Sequence, residues 1–141
     1  VRLAIESAVH YMEKRSSDKV KFTIEIEEED TEFAINEALF NWVIENLIKN
    51  ALDAMEGVGA IKVRVFKSTK NIVIDVIDSG KGIQKSKFET VFEPGFSTKK
   101  RGWGLGLSLV RRIVENYHEG EIYIKESGPE GTTFRMKLPL V

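Results

Sequence analysis

Between Asn36 and Met55 the chain places Phe40, Ile44, Leu47, Ile48, Ala51 and Met55 on one stripe of a helix turning 100° per residue. Asn36 is a good N-cap for that helix, and Gly57 and Gly59 stop it. A helix with one apolar face gains most of its stability by burying that face against another element. The rest of the chain supplies a sheet. Val20, Phe22, Ile24 and Ile26 alternate with Lys21, Thr23, Glu25 and Glu27, the period of two of a strand with one wet face. Residues 61–66 and 72–77 read as two strands joined by the polar turn 67–71, and 121–125 and 133–138 as two more. Phe33, Ala34 and Ile35 suggest a further short strand.

Two other helices are expected. Residues 3–14 carry Leu3, Ile5, Ala8, Val9 and Met12 at helical spacing, with Ser16, Ser17 and Asp18 ending the run. Residues 105–117 present Leu109, Ile113 and Val114 inward before Gly120 stops them. Grouped strands with helices on one side predict an α+β chain, a two-layer α/β sandwich rather than alternating βαβ units. From Asp78 to about Gly104 the chain is glycine-rich and irregular, with one short helical stretch near Phe88. About 25 irregular residues inside so compact a domain point to function.

Composition excludes several classes. The 141 residues suit one domain. With no cysteine, disulfides, thiol catalysis and Cys-ligated zinc are out. His10 and His118 are too few for a histidine-rich metal site, and the acidic run 27–30 reads as a solvated turn. A net charge of −1 carries no basic surplus, so nucleic acid is not an expected partner. No apolar run approaches the roughly 20 residues of a membrane span, and no signal-peptide pattern opens the chain. The expectation is a cytoplasmic domain without direct membrane contact. Val1 is not methionine and the first residues already read as helix, which suggests a piece of a longer protein.

Four segments are candidates for the chemistry. On the long helix Asn46, Asn50 and Asp53 share an edge between the apolar stripe and the solvent side, where Glu45, Lys49 and Glu56 cluster. Asparagine is a mediocre helix former, so this pair reads either as loop-bonding amides or as ligands; a neutral amide oxygen suits magnesium beside a triphosphate. Asp78-Ser79-Gly80-Lys81-Gly82-Ile83 follows an apolar strand, and its glycines permit a sharp turn and close approach to a ligand. By itself this pattern is weak, because many turns look alike. Gly102-Trp103-Gly104-Leu105-Gly106-Leu107 leads into a helix and exposes backbone N–H groups suited to phosphate. Its spacing is neither a dinucleotide fingerprint nor a Walker loop. Ser97, Thr98, Lys99, Lys100 and Arg101 add hydroxyls and charge beside it, unless they form only a solvated basic loop. Gly131 and Thr132 open the last strand.

In this order and spacing these elements resemble the ATP-binding catalytic domain of sensor histidine kinases, in the superfamily shared with DNA gyrase B, Hsp90 and MutL. E-N-L-I-K-N-A-L-D-A-M (residues 45–55) is similar to the N box, and residues 78–82 to the G1 box. V-F-E-P-G-F-S-T-K (91–99) is similar to the F box, 102–107 to the G2 box, and Gly131-Thr132 to the last glycine motif. The likeness covers nearly everything from Val20 onward. It implies a Bergerat-type sandwich, a mixed, mostly antiparallel sheet packed against about three helices. It also implies a division into an N-terminal helix, residues 1–19, leading out of a dimerisation hairpin, and an ATP-binding catalytic domain, residues 20–141.

The resemblance further implies ATP and Mg2+ as cofactors and assigns roles. Asn50 is the magnesium ligand, with Asn46 near the phosphates. Asp78 reads the adenine amino group with Thr132 supporting it through water, and Gly80 and Gly82 shape the adenine pocket. Gly102, Gly104, Leu105 and Gly106 hold the phosphates with backbone amides, and Lys99 contacts them. Glu45, Asn46 and Lys99 are the candidate catalytic residues, Glu45 as a group orienting the incoming imidazole or, more blandly, a surface glutamate. Two departures stand out: Asp53 occupies a place where many members carry lysine or arginine, and Trp103 one where a small residue is frequent. Gyrase-like ATPases carry a water-activating glutamate where this chain has Asn46, so hydrolysis is expected to be poor. Neither His10 nor His118 sits in the acceptor context H-E-[LIF]-x-x-P. The implied partners are therefore a separate phosphoacceptor hairpin domain and, downstream, a response regulator receiver domain. A hydrolysing or serine-directed relative, and an ATP-dependent switch without transfer, remain alternatives.

Overall fold

In a computed structural model, residues 2–16, 18–27, 36–93 and 106–140 are described. The chain runs α1 (Arg2–Lys14), β1 (Val20–Ile26), α2 (Glu37–Met55), β2 (Gly59–Lys67) and β3 (Asn71–Asp78). Two 3-10 turns follow, Lys85–Lys87 and Thr90–Phe92, then α3 (Gly106–Arg112), a π-helical turn (Ile113–Tyr117), β4 (Glu121–Gly128) and β5 (Gly131–Pro139). The five strands form one sheet in the order β1-β2-β3-β5-β4. β1 and β2, separated by α2, pair in parallel, as strands joined by a crossover helix do. The other three pairings are antiparallel, so the sheet is mixed and mostly antiparallel, as expected.

Alternate residues of the three central strands face the helices. Ile61, Val63 and Val65 of β2, Ile72, Ile74 and Val76 of β3, and Phe134, Met136 and Leu138 of β5 are buried in one core. Against them α2 lays the expected stripe: Phe40, Ile44, Leu47, Ile48, Ala51 and Met55 are all buried, joined by Val43. Burying side chains of this size contributes about 1.5–3 kcal/mol each, so the stripe commits α2 to the sheet. Ile5, Ala8 and Val9 of α1 enter the same core.

The ends of α2 are fixed locally. Asn36 Oδ1 accepts from the Leu39 N–H at 3.1 Å, the expected N-cap. At the other end Glu56 adopts φ 57°, and the Gly57 N–H bonds the Leu52 carbonyl at 3.1 Å. One expectation needs correcting. The segment near 105–117 is α-helical only to Arg112 and then widens into a π turn, and Val110, Ile113 and Val114 fill the core while Leu109 is only half-buried. Val110 lies three and four residues before Ile113 and Val114, so these three share the inward face and Leu109 flanks it.

Candidate functional site

The site is laid out along one edge of α2. Gly80, just after β3, packs directly on the last turn of that helix: a Cβ there would lie 2.8 Å from Ala54 backbone and side-chain atoms. The Lys81 N–H donates to the Ala54 carbonyl at 3.3 Å, and Ser79 Oγ reaches Met55 Sδ at 3.3 Å. One turn back from Ala54 stands Asn50, half-buried, whose amide makes no hydrogen bond to any described residue. Another turn back stands Asn46, whose Nδ2 donates to the Trp42 carbonyl at 2.8 Å. Asn46 Oδ1 lies 3.5 Å from the position a Cβ on Gly106 would take, so the start of α3 closes on this end. From 46 to 54 the helix rises about 12 Å. The edge predicted from i, i+4 spacing is thus a continuous line from the 78–82 loop to the start of α3.

Asp78 ends β3 and is 6% exposed as a residue. Its Oδ1 accepts from the Gly80 N–H at 2.8 Å and from the Thr132 N–H at 3.3 Å, whereas Oδ2 takes no bond from a described residue. Burial raises its pKa above the ordinary aspartate value, and the two backbone donors partly offset that. β3 and β5 pair with Asp78 opposite Thr132, so register rather than sequence proximity brings the two together. Gly131, at φ 139°, cannot be replaced without strain, because its Cβ would strike the Asp78 carbonyl oxygen. Gly82 lies against the Gly128 carbonyl on the same side. Thr132, buried, shares a 2.7 Å hydroxyl–hydroxyl bond with Ser127, whose Oγ also accepts from the Ile83 N–H at 2.7 Å.

Of the expected residues, Asn46, Asn50, Gly80 and Gly106 come together along α2, and Asp78, Gly82 and Thr132 gather around the loop after β3. Glu45 is half-buried and makes no hydrogen bond or ion pair with a described residue. Lys99, Lys100, Arg101, Gly102, Trp103, Gly104 and Leu105 lie outside the described residues, as do Phe33, Ala34 and Ile35. His118 is buried, and both ring nitrogens are engaged: Nε2 accepts from the Asn36 N–H and Nδ1 lies 3.0 Å from the Ile113 carbonyl. Because Nε2 accepts, Nδ1 carries the ring proton and donates to Ile113. Neither nitrogen is presented as a nucleophile. Sequence reading missed Ser127. Counting back across the Pro129-Glu130 turn, which pairs Gly128 with Gly131, would have set it opposite Thr132.

Residues 35–141 match the family described as Histidine kinase-, DNA gyrase B-, and HSP90-like ATPase. The chain is similar to the sensor histidine kinase ZraS of Escherichia coli (strain K12), 41% identical over 98 residues, which is 70% of this chain and 21% of that protein. It therefore spans about a fifth of that relative's length. Among solved structures it is similar to the catalytic domain of histidine kinase ThkA, with a TM-score of 0.85 and 30% identity over 98% of this chain and 92% of that one. It is also similar to ThkA in complex with the response regulator protein TrrA, with a TM-score of 0.86, 26% identity, and coverage of 100% and 40%.

Proposed function

The chain belongs to the histidine kinase-, DNA gyrase B- and HSP90-like ATPases and is a catalytic domain of the sensor histidine kinase kind, and from that premise we propose that it lays Mg-ATP along the α2 edge and passes the γ-phosphoryl group to a histidine on a separate helical hairpin. The observation that carries this reading is the amide of Asn50, without a hydrogen bond to any described residue, midway between the Asp78 pocket and the Asn46–Gly106 end. Asp78 Oδ2 accepts from the adenine amino group, and the loop through Gly80 and Gly82 admits the base. Asn50 is a suitable ligand for magnesium, being a neutral oxygen donor beside a polyphosphate, and its amide makes no hydrogen bond to a described residue. When bound, the ion neutralises charge on the phosphates.

Asn46 marks the phosphate end, with Lys99, Gly102, Gly104, Leu105 and Gly106 completing it. An amide there cannot take a proton from water, and Glu45 stands about 100° round the helix, so hydrolysis is slow. Phosphoryl transfer depends mainly on position and charge stabilisation, and a neutral imidazole brought in line supplies the nucleophile. A response regulator receiver domain then takes the phosphoryl group, a reading supported by the ThkA–TrrA complex.

The test is to incubate the chain with labelled ATP and magnesium, with and without its hairpin domain. The chain alone should remain unlabelled and turn ATP over slowly, whereas the mixture should yield an acid-labile, base-stable phosphoprotein. Rapid hydrolysis by the isolated chain, or an acid-stable product, would instead favour an ATPase or a serine-directed kinase.

A further inference from the structure

Ser127 hydrogen-bonds Ile83 and Thr132 rather than the α2 edge, and its hydroxyl is the junction between two walls of the base pocket. It accepts from the Ile83 N–H at 2.7 Å and meets Thr132 Oγ1 at 2.7 Å. A serine hydroxyl has one proton and two lone pairs. A backbone amide can only donate, so Ile83 consumes one lone pair and leaves the proton for Thr132. A hydroxyl that already accepts a hydrogen bond is a stronger donor, which favours one direction along the chain, Ile83 N–H to Ser127 O–H to Thr132 Oγ1. The Thr132 proton is then the free end, since that hydroxyl makes no other bond to a described residue. Thr132 also donates its backbone N–H to Asp78 Oδ1 at 3.3 Å, so its hydroxyl stands beside that carboxylate.

We infer that Ser127 is a positioning residue that fixes the polarity of Thr132, so that the pocket offers a hydrogen-bond acceptor, Asp78 Oδ2, next to a donor, the Thr132 hydroxyl. This pair complements the adenine edge, where the 6-amino group donates and N1 accepts, directly or through one water. Guanine reverses both groups. The inference rests on the reading of Asp78 as the adenine acceptor and adds a second determinant to it. Removing the Ser127 hydroxyl takes away the donor that occupies a lone pair of Thr132 Oγ1, so the Thr132 proton is no longer held toward the base and N1 is no longer read.

Three nucleotides separate the determinants: ATP, purine riboside triphosphate, which lacks the amino group, and 1-deaza-ATP, which lacks the N1 acceptor. By calorimetry the unaltered chain should bind each analogue about tenfold more weakly than ATP, the scale of one hydrogen bond. In Ser127→Ala the preference for ATP over 1-deaza-ATP should vanish, while the preference over purine riboside triphosphate persists. Should Ser127→Ala fail to fold by circular dichroism, Ser127→Cys, a weaker donor of similar size, should show the N1 preference reduced and the amino preference intact. Equal weakening of all three nucleotides, with both ratios unchanged, would reduce Ser127 to a structural role and overturn the inference. If the unaltered chain already ignores the amino group, the reading of Asp78 fails as well; if it ignores only N1, the Ser127 inference fails alone.

Discussion

His118 Nε2 accepts a hydrogen bond from the backbone N–H of Asn36 at 3.0 Å, tying the turn after α3 to the N-cap of α2 across 82 residues of sequence. The capping residue of the helix that carries Asn46 and Asn50 is thus held by a side chain from the far end of the domain. Replacing His118 with alanine removes this acceptor and the packing of a buried ring. We expect a loss of about 1–2 kcal/mol in chemical denaturation. Hydrogen exchange should quicken in the first turn of α2, and an unaltered first turn would show that Asn36 is held without the ring. Since both nitrogens are engaged, His118 should carry no phosphoryl group in any assay.

Asn50→Ala should abolish magnesium-dependent nucleotide binding and leave the melting temperature nearly unchanged. The amide makes no hydrogen bond to a described residue and lies off the apolar stripe, so folding loses little with it. Calorimetry with ATP in the presence of magnesium and of a chelator decides the matter; a variant whose affinity still responds to magnesium as the parent's does would remove Asn50 as a ligand.

Asp78→Asn should keep the fold and lose ATP. The amide oxygen can still accept from Gly80 and Thr132, but an NH2 group then faces the adenine amino group, donor against donor. Affinity should fall by about a hundredfold or more, because a mismatched buried polar group stays unpaired. Comparing ATP with GTP in both proteins is the measurement, and an unchanged ATP preference in the variant would count against the role.

Acid should act on Asp78 in two opposite directions. Burial raises its folded pKa above the unfolded value, so its contribution to folding stability is fully present below the unfolded pKa and is lost as pH rises through the folded one. Nucleotide binding has the other sign. Only the ionised carboxylate offers both oxygens as acceptors, so ATP affinity should fall as pH drops through the raised value. Titrations and denaturation curves across the mildly acidic range should show affinity declining while the Asp78 penalty on folding is relieved, and both trends should flatten in Asp78→Asn.

On the opposite face of the sheet Asp75, 2% exposed, holds Arg135 through two bonds of 2.8 and 2.9 Å. Arg135→Met strands a buried carboxylate and should cost about 3–5 kcal/mol. Adding Asp75→Leu should recover most of that, since replacing both partners leaves no unpaired charge. Nucleotide affinity should change in neither variant once each is folded, because alternation along β3 sets Asp75 away from Asp78.

The sequence by itself determined the elements and most of the α2 edge. Helical and strand periods are local, so the stripe from Phe40 to Met55 and the alternation in β1 could be read from neighbouring residues alone. The i, i+4 spacing of Asn46 and Asn50 likewise needs only the helix, and the glycines at 80, 82 and 131 announce close approaches without saying to what. Tertiary structure decided the partners. Periodicity carries no information on which strand lies beside which, so the order β1-β2-β3-β5-β4 and the pairing of Asp78 with Thr132 had to come from packing. The same holds for the contact of Gly80 with Ala54, the ring of His118 on Asn36, and Ser127 joining Ile83 to Thr132. Each of these is a short-range bond between residues distant in sequence or across a register, and such bonds exist only once the apolar faces have chosen one arrangement in which to be buried.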